Sequence, residues 1–378
     1  MRDVLPPGGR AGFGAAAFLS CMALVACATP APSFRPQQTS PLILTAPPST
    51  DPPPWSPTEF ATELIEPDFP TVTALTSTGE RLYWASGSSI WGYVPGELRA
   101  ERLYASGTRG AVVWDIAAVD DTILFAERLP EPAGRWRVAV IGRTGAVPVD
   151  VDSGLAKGGA PPTVAIDGRR LAWVGFDETS GEPRAFLRVA DRSDPTITTL
   201  FESDIDDALL WYPQLDENTL WYAKIDPDFE GTGAGDAFHI ESLDLETPSS
   251  APVTFAGLEL AFEPSVTPAY IAWKSVDRGF SALTWGEIGV LDRRSGQRFV
   301  IAAQTNHPSV GSSFVTFEEF FHERLVVYDL ATHRSIEIPD PLHGAKGTIG
   351  VPVVAGDLLG YTASVGGASR VYWTRLPA

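Results

Sequence analysis

The chain has 378 residues, 28 basic against 47 acidic side chains, a formal net charge of −19 and two cysteines. Proteins hold phosphate backbones with clusters of Lys and Arg, so a surface this acidic disfavours nucleic acid and leaves a cation, a basic partner or a neutral polymer open. With Cys21 and Cys27 both near the N-terminus, the body of the chain has no thiol for a disulfide, a Cys-ligated metal or a cysteine nucleophile.

Residues 1–26 read as an export signal: Arg2 and Arg10 are followed by an Ala/Phe/Leu-rich stretch from Ala11 and by small residues before Cys27. The apolar stretch of about 16 residues is shorter than the roughly 20 that a spanning helix needs. Leu24-Val25-Ala26-Cys27 resembles the bacterial lipobox, in which the signal is cut before the cysteine and the thiol is acylated, palmitate being one such acyl group. The resemblance implies a lipid anchor at Cys27 in the cell membrane or outer membrane, with the mature chain facing outside the cytoplasm. The alternative is an ordinary cleaved signal with an incidental cysteine. Without Arg2, Arg10 and Asp3, the remaining 26 basic and 46 acidic residues leave a formal charge of −20.

Residues 27–58 hold the lipidated cysteine and a tether with ten prolines from Pro30 to Pro57 among Ser, Thr and Gln. Such a segment favours extended polyproline II and spaces a domain from its anchor.

From residue 59 to 378 one pattern recurs. Prolines return with an aromatic nine positions later at Pro213/Tyr222, Pro264/Trp273, Pro308/Phe317 and Pro352/Tyr361. A recurrence of this length marks a stacked supersecondary repeat. Each unit reads as an inner strand starting near the proline, a turn, and a strand ending in an aromatic. These strands include Leu82-Tyr83-Trp84, Ile123-Leu124-Phe125, Leu171-Ala172-Trp173 and Ile271-Ala272-Trp273. Third strands follow, as at Arg137 to Gly142, Glu287 to Asp292 and Leu325 to Leu330. Short strands between turn residues, with no long 3.6-period stripe, predict an all-β chain. Seven units of about 45 residues predict a β-propeller of seven four-stranded blades, with six or eight as alternatives. The last unit runs out after Arg370-Val371-Tyr372-Trp373-Thr374 while Ala61-Thr62-Glu63-Leu64-Ile65 is left over. The N-terminal strand is therefore expected to complete the last blade and hide two sheet edges. The recurrent aromatics are expected in the core between blades.

Pro162-Thr163-Val164-Ala165-Ile166-Asp167-Gly168-Arg169-Arg170-Leu171-Ala172-Trp173 resembles the TolB-like (PD40-type) propeller repeat. Later units keep the frame and lose the Ser-Pro-Asp-Gly consensus. The N-terminal α/β domain of TolB has no counterpart in this length, so its envelope role does not transfer intact.

Candidate ligand-binding residues stand where inner strands begin, at one mouth of the axial channel: Trp114, Asp115, Tyr212, Glu263 and His307. The alternative is that they satisfy strand ends and line a water-filled channel. Asp226, Asp228 and Glu230 followed by Gly231 resemble the first half of a calcium loop, with Asp236 near its end. Calcium is the cofactor this loop would take. Ala237 replaces the expected bidentate Glu, and a solvated glycine-rich loop is the alternative. The five histidines lack zinc spacing, and no catalytic motif is present. The expectation is a monomeric, non-enzymatic binding or scaffold module of the cell envelope, with a protein or glycan partner. The alternative is a metal-assisted polysaccharide lyase or hydrolase acting at the channel mouth.

Overall fold

The computed structural model describes residues 62–131, 133–142, 147–157, 160–194, 196–226, 237–247, 252–254, 261–275, 286–319, 324–338 and 347–377. Among the described residues, all regular structure is β-strand. Strand β1 (Glu63–Phe69) pairs with the far end of the chain. The first sheet is β2 (Ala74–Ser77), β3 (Leu82–Ser86), β4 (Ser89–Tyr93) and β5 (Glu101–Ala105). The second is β6 (Val112–Val119), β7 (Thr122–Arg128), β8 (Arg135–Gly142) and β9 (Val149–Leu155). The third is β10 (Thr163–Ile166), β11 (Arg170–Asp177), β12 (Arg184–Asp191) and β13 (Thr198–Asp204). The fourth is β14 (Leu209–Asp216), β15 (Thr219–Asp226), β16 (Ala237–Asp244) and β17 (Val253–Thr254).

A seven-stranded sheet follows: β18 (Ala261–Val266), β19 (Tyr270–Ser275), β20 (Gly286–Asp292), β21 (Arg298–Val310), β22 (Phe314–Glu319), β23 (Arg324–Asp329) and β24 (Arg334–Ile338). Strand β21 is 13 residues long; its first part pairs with β20 and its last part with β22. It thus serves as the outer strand of one four-stranded unit and the inner strand of the next. The last sheet joins β25 (Gly347–Ile349), β26 (Val353–Ala355), β27 (Leu358–Val365), β28 (Ala368–Arg375) and β1. Among the described residues all pairings are antiparallel and join successive strands, apart from β1 on β28 and from β25 on β27, which passes over β26.

The expected aromatic position is the core of each unit. Trp84, Phe125, Trp173, Tyr222, Trp273, Phe317 and Tyr361 all lie in second strands and are at most 3 % exposed. Hydrophobic clusters join each unit to the next, for example Trp173 with Leu124 and Trp136, or Phe317 with Ala272 and Val290. Large rings suit these wedge-shaped gaps between twisted sheets. Where a ring lies against the neighbouring strand, only glycine fits. A Cβ on Gly289, the cross-strand partner of Trp273, would fall inside the indole.

Closure also follows the expectation. Glu63, Leu64 and Ile65 pair with Trp373, Tyr372 and Val371. Ile65 and Phe69 are buried beside Trp84, with the Phe69 and Trp84 rings 5.2 Å apart. Arg370 binds Asp68 at 2.9 Å on the surface. The result is a β-propeller in which the first strand covers an edge that would otherwise stay unpaired.

One expectation needs correction. Pro213, Pro264 and Pro308 do not start strands; they sit inside β14, β18 and β21. The ladders skip there, between Trp211 and Gln214, Phe262 and Ser265, and Asn306 and Ser309. A bulge leaves a residue outside the ladder, so the missing proline N–H costs no hydrogen bond.

Candidate functional site

The inner strands of all the units line one cavity of about 710 Å³ along the axis. Counted ten residues back from each buried aromatic, one position recurs: Ala74, Asp115, Thr163, Tyr212, Glu263, His307 and Val351. All of these except Ala74 line the cavity. Asp115, Thr163, Tyr212, Glu263 and His307 thus form a polar arc on successive inner strands, with Val351 beside them.

Backbone geometry aims three of these side chains. Tyr212, Glu263 and His307 have φ of 51°, 52° and 53°, each directly before a bulge proline. Left-handed backbone costs a side-chain-bearing residue about 1–2 kcal/mol. The same strain recurs in three neighbouring units because each bulge turns its residue into the channel.

Glu263 is the most constrained member. It is buried, and its Oε1 accepts a hydrogen bond from Lys274 Nζ at 3.0 Å. Its Oε2 accepts the His307 backbone N–H at 3.0 Å and lies 3.4 Å from His307 Nδ1. Burial alone would raise its pKa; the His307 and Lys274 contacts outweigh it and hold the carboxyl at about 2. The same pairing raises the His307 pKa, against the opposing effect of burial. Lys274 is 1 % exposed, donates also to Asn306 Oδ1 at 3.1 Å and lies 5.7 Å from the Phe262 ring centroid. A buried cation needs this density of partners.

Asp115 differs. Its Oδ1 accepts the Ile116 N–H and its Oδ2 the Val164 N–H of the next unit, each at 2.9 Å. Burial pushes its pKa up to about 6, and the two N–H donors offset only part of that rise. Among the described residues no cationic side chain pairs with it. Tyr212 stands between the acidic groups: burial, then the Glu263 and Asp115 carboxylates, raise its phenol pKa.

Side chains also stitch the exposed edges of the inner strands. Ser265 Oγ accepts the Val310 N–H and Ser309 Oγ the Val354 N–H, each at 2.9 Å. Inner strands have one unpaired edge, and the neighbouring unit satisfies it. Asp115 belongs to this series as well as to the cavity wall.

The sequence-predicted residues separate accordingly. Asp115, Tyr212, Glu263 and His307 converge on the cavity. Trp114 does not: it is the residue skipped between Val113 and Asp115, and it faces the Arg128 guanidinium at 6.0 Å. Its placement rested on standing where an inner strand begins, and the bulge there leaves it outside the ladder. Of the acidic loop, Asp228, Glu230 and Asp236 lie outside the described residues. Asp226 is already engaged, by Lys224 Nζ at 3.0 Å and His239 Nε2 at 3.4 Å. Among the described residues no group of three or more His, Cys, Asp or Glu side chains is arranged to hold a metal ion.

Thr163, Lys274 and Asn306 escaped the sequence reading. Lys274 had a usable signal. The residue after the buried aromatic is Ala85, Ala126, Val174 and Ala223 in the first four units, and a lysine at that point marks a buried ion pair.

No protein-family model and no curated protein matches the chain. Solved structures do. The β-propeller domain of the Trilobed protease from Pyrococcus furiosus is 10% identical with a TM-score of 0.57, over 82% of this chain and 96% of that one. YCF48 bound to D1 peptide is 9% identical with a TM-score of 0.55, over 88% and 99%. An oligogalacturonate lyase in complex with manganese is 13% identical with a TM-score of 0.54, over 85% and 92%. At such identities the likeness is one of fold alone.

Proposed function

We propose that this chain is a lipid-anchored, extracytoplasmic β-propeller of seven TolB-like units that acts as a non-enzymatic binding module of the cell envelope, with its site at the polar arc of the channel mouth. One observation carries the reading: residues at a single repeat position converge on a cavity of about 710 Å³, within the usual size of ligand pockets. The hydrogen bonding favours binding over catalysis. Lys274 and His307 hold Glu263 ionised, and two backbone N–H groups engage Asp115, so both carboxylates already act as internal acceptors. A general acid or base needs a proton it can pass to substrate near the working pH; Glu263 at about 2 is far from that condition, and Asp115, at about 6, has each of its oxygens engaged by a backbone N–H.

The lipobox-like Leu24-Val25-Ala26-Cys27 and the proline-rich segment after it support anchoring outside the cytoplasm. Among the described residues no helix is long and apolar enough to cross a membrane. An envelope glycan or protein is the proposed partner, and calcium belongs in the test because of the acidic loop.

The test is the thermal midpoint of the protein with envelope glycans, envelope peptides and millimolar calcium, compared with a Val351→Trp variant that fills the apolar side of the mouth. A ligand at a hundred times its dissociation constant adds about 2.7 kcal/mol. The expected result is a shift of several degrees that Val351→Trp abolishes. Equal shifts in both proteins would place binding elsewhere and contradict the reading.

A further inference from the structure

We propose that the channel mouth binds its ligand through an organic cation, a primary ammonium or guanidinium group, seated between the Asp115 carboxylate and the Tyr212 phenol. This inference rests on the channel-mouth reading above and adds the chemistry of the group recognised.

The two acids on the arc are not equivalent. Glu263 has its counter-charges built in, with Lys274 Nζ at 3.0 Å and His307 Nδ1 at 3.4 Å. Asp115 lines the same cavity with only backbone N–H partners. Asp115 is partly buried, and a carboxylate with little access to water and no cation beside it favours a cationic ligand, since buried charges in proteins are paired or bind a cation. Two N–H bonds use two of about four acceptor positions on a carboxylate, so Asp115 keeps lone pairs for a ligand.

The surroundings supply no internal cation for it. On β7 beside it, Glu127 is taken by Arg137 at 2.7 Å and by Tyr104, and Arg128 lies over Trp114. Thr163 on β10 is uncharged, and its buried hydroxyl has no hydrogen-bond partner. Across the cavity stand Tyr212, Glu263 and His307. Tyr212 lines the same cavity as Asp115, and its ring meets Phe262 edge-to-face at 5.2 Å. A carboxylate and a phenol ring lining one cavity are the groups that an organic cation uses. The net charge of −19 adds long-range attraction of the same sign.

Binding should follow the ionisation of Asp115, because the neutral acid offers the cation no charge. With a carboxyl that titrates near 6, affinity falls about tenfold between pH 7.5 and pH 5.0.

The experiment is isothermal titration of the full chain in detergent with spermidine, at both pH values and at two salt concentrations. The expected result is one saturable site whose affinity falls about tenfold at pH 5.0. In Asp115→Asn the affinity should already be at least about tenfold lower at pH 7.5 and lose most of its pH dependence. Asp357→Asn, a surface carboxylate paired with Arg375, should bind as the parent does and so gauges non-specific attraction. Should Asp115→Asn fail to fold, Tyr212→Leu gives the same comparison from the aromatic side. An affinity independent of pH, or equal losses in Asp115→Asn and Asp357→Asn, would overturn the proposal. Val351→Trp separates the two claims: loss of binding there with none in Asp115→Asn retains the mouth and rejects the cation. No loss in Val351→Trp rejects the mouth itself.

Discussion

Lys274 and Glu263 set the energetic character of the site. Both are almost fully buried, and removing one partner of such a pair leaves an uncompensated charge at a cost of about 3–5 kcal/mol. Lys274→Met should therefore destabilise the fold by that order, and adding Glu263→Gln should recover much of the loss, as read by denaturant unfolding of the single and double variants. Equal loss in both would show that packing, not charge, dominates there. The pH dependence has a definite sign. The Glu263 pKa is depressed to about 2, so its contribution is complete above the unfolded value of 4.5 and disappears as pH falls toward 2. Asp115 acts oppositely: its pKa is raised to about 6, so its contribution is complete below 3.8 and is lost as pH rises through 6. A stability profile of Asp115→Asn should accordingly lack the decline between pH 4 and 6 that the parent shows.

At the scale of the strand, the proline and aromatic spacing made the units legible, because a buried ring between sheets recurs wherever the sheet does. The prolines were legible as landmarks and misleading as boundaries. In β14, β18 and β21 they mark bulges, and bulges depend on cross-strand pairing that a single strand does not reveal. The same effect displaced Trp114 from the mouth. The ten-residue spacing that defines the arc was present in the sequence, yet the Glu263, Lys274 and Asn306 contacts join residues 11 and 32 positions apart across two units. Only the tertiary fold brings them together. Packing at this scale is tested at Gly289. Placing a methyl group against the Trp273 indole should cost about 1–3 kcal/mol in Gly289→Ala, read as a lower thermal midpoint. An unchanged midpoint would mean that the ring has room to move.

The whole molecule joins an acidic propeller to an N-terminal segment that reads as a lipid anchor. The ring is closed by Ile65 and Phe69 against the last sheet. Replacing Cys27 with Ser should release the protein from the membrane fraction without changing its thermal midpoint. Unchanged membrane association would remove the anchor from the account. The binding claim itself is tested most directly by amide hydrogen exchange, with and without the compound that raises the midpoint. We expect added protection at the inner-strand amides of Val164, His307, Val310 and Val354, whose N–H groups are held by the mouth and its stitching side chains. Protection confined to the outer strands β5, β9 and β13, with the inner strands unchanged, would contradict a binding site at the channel mouth.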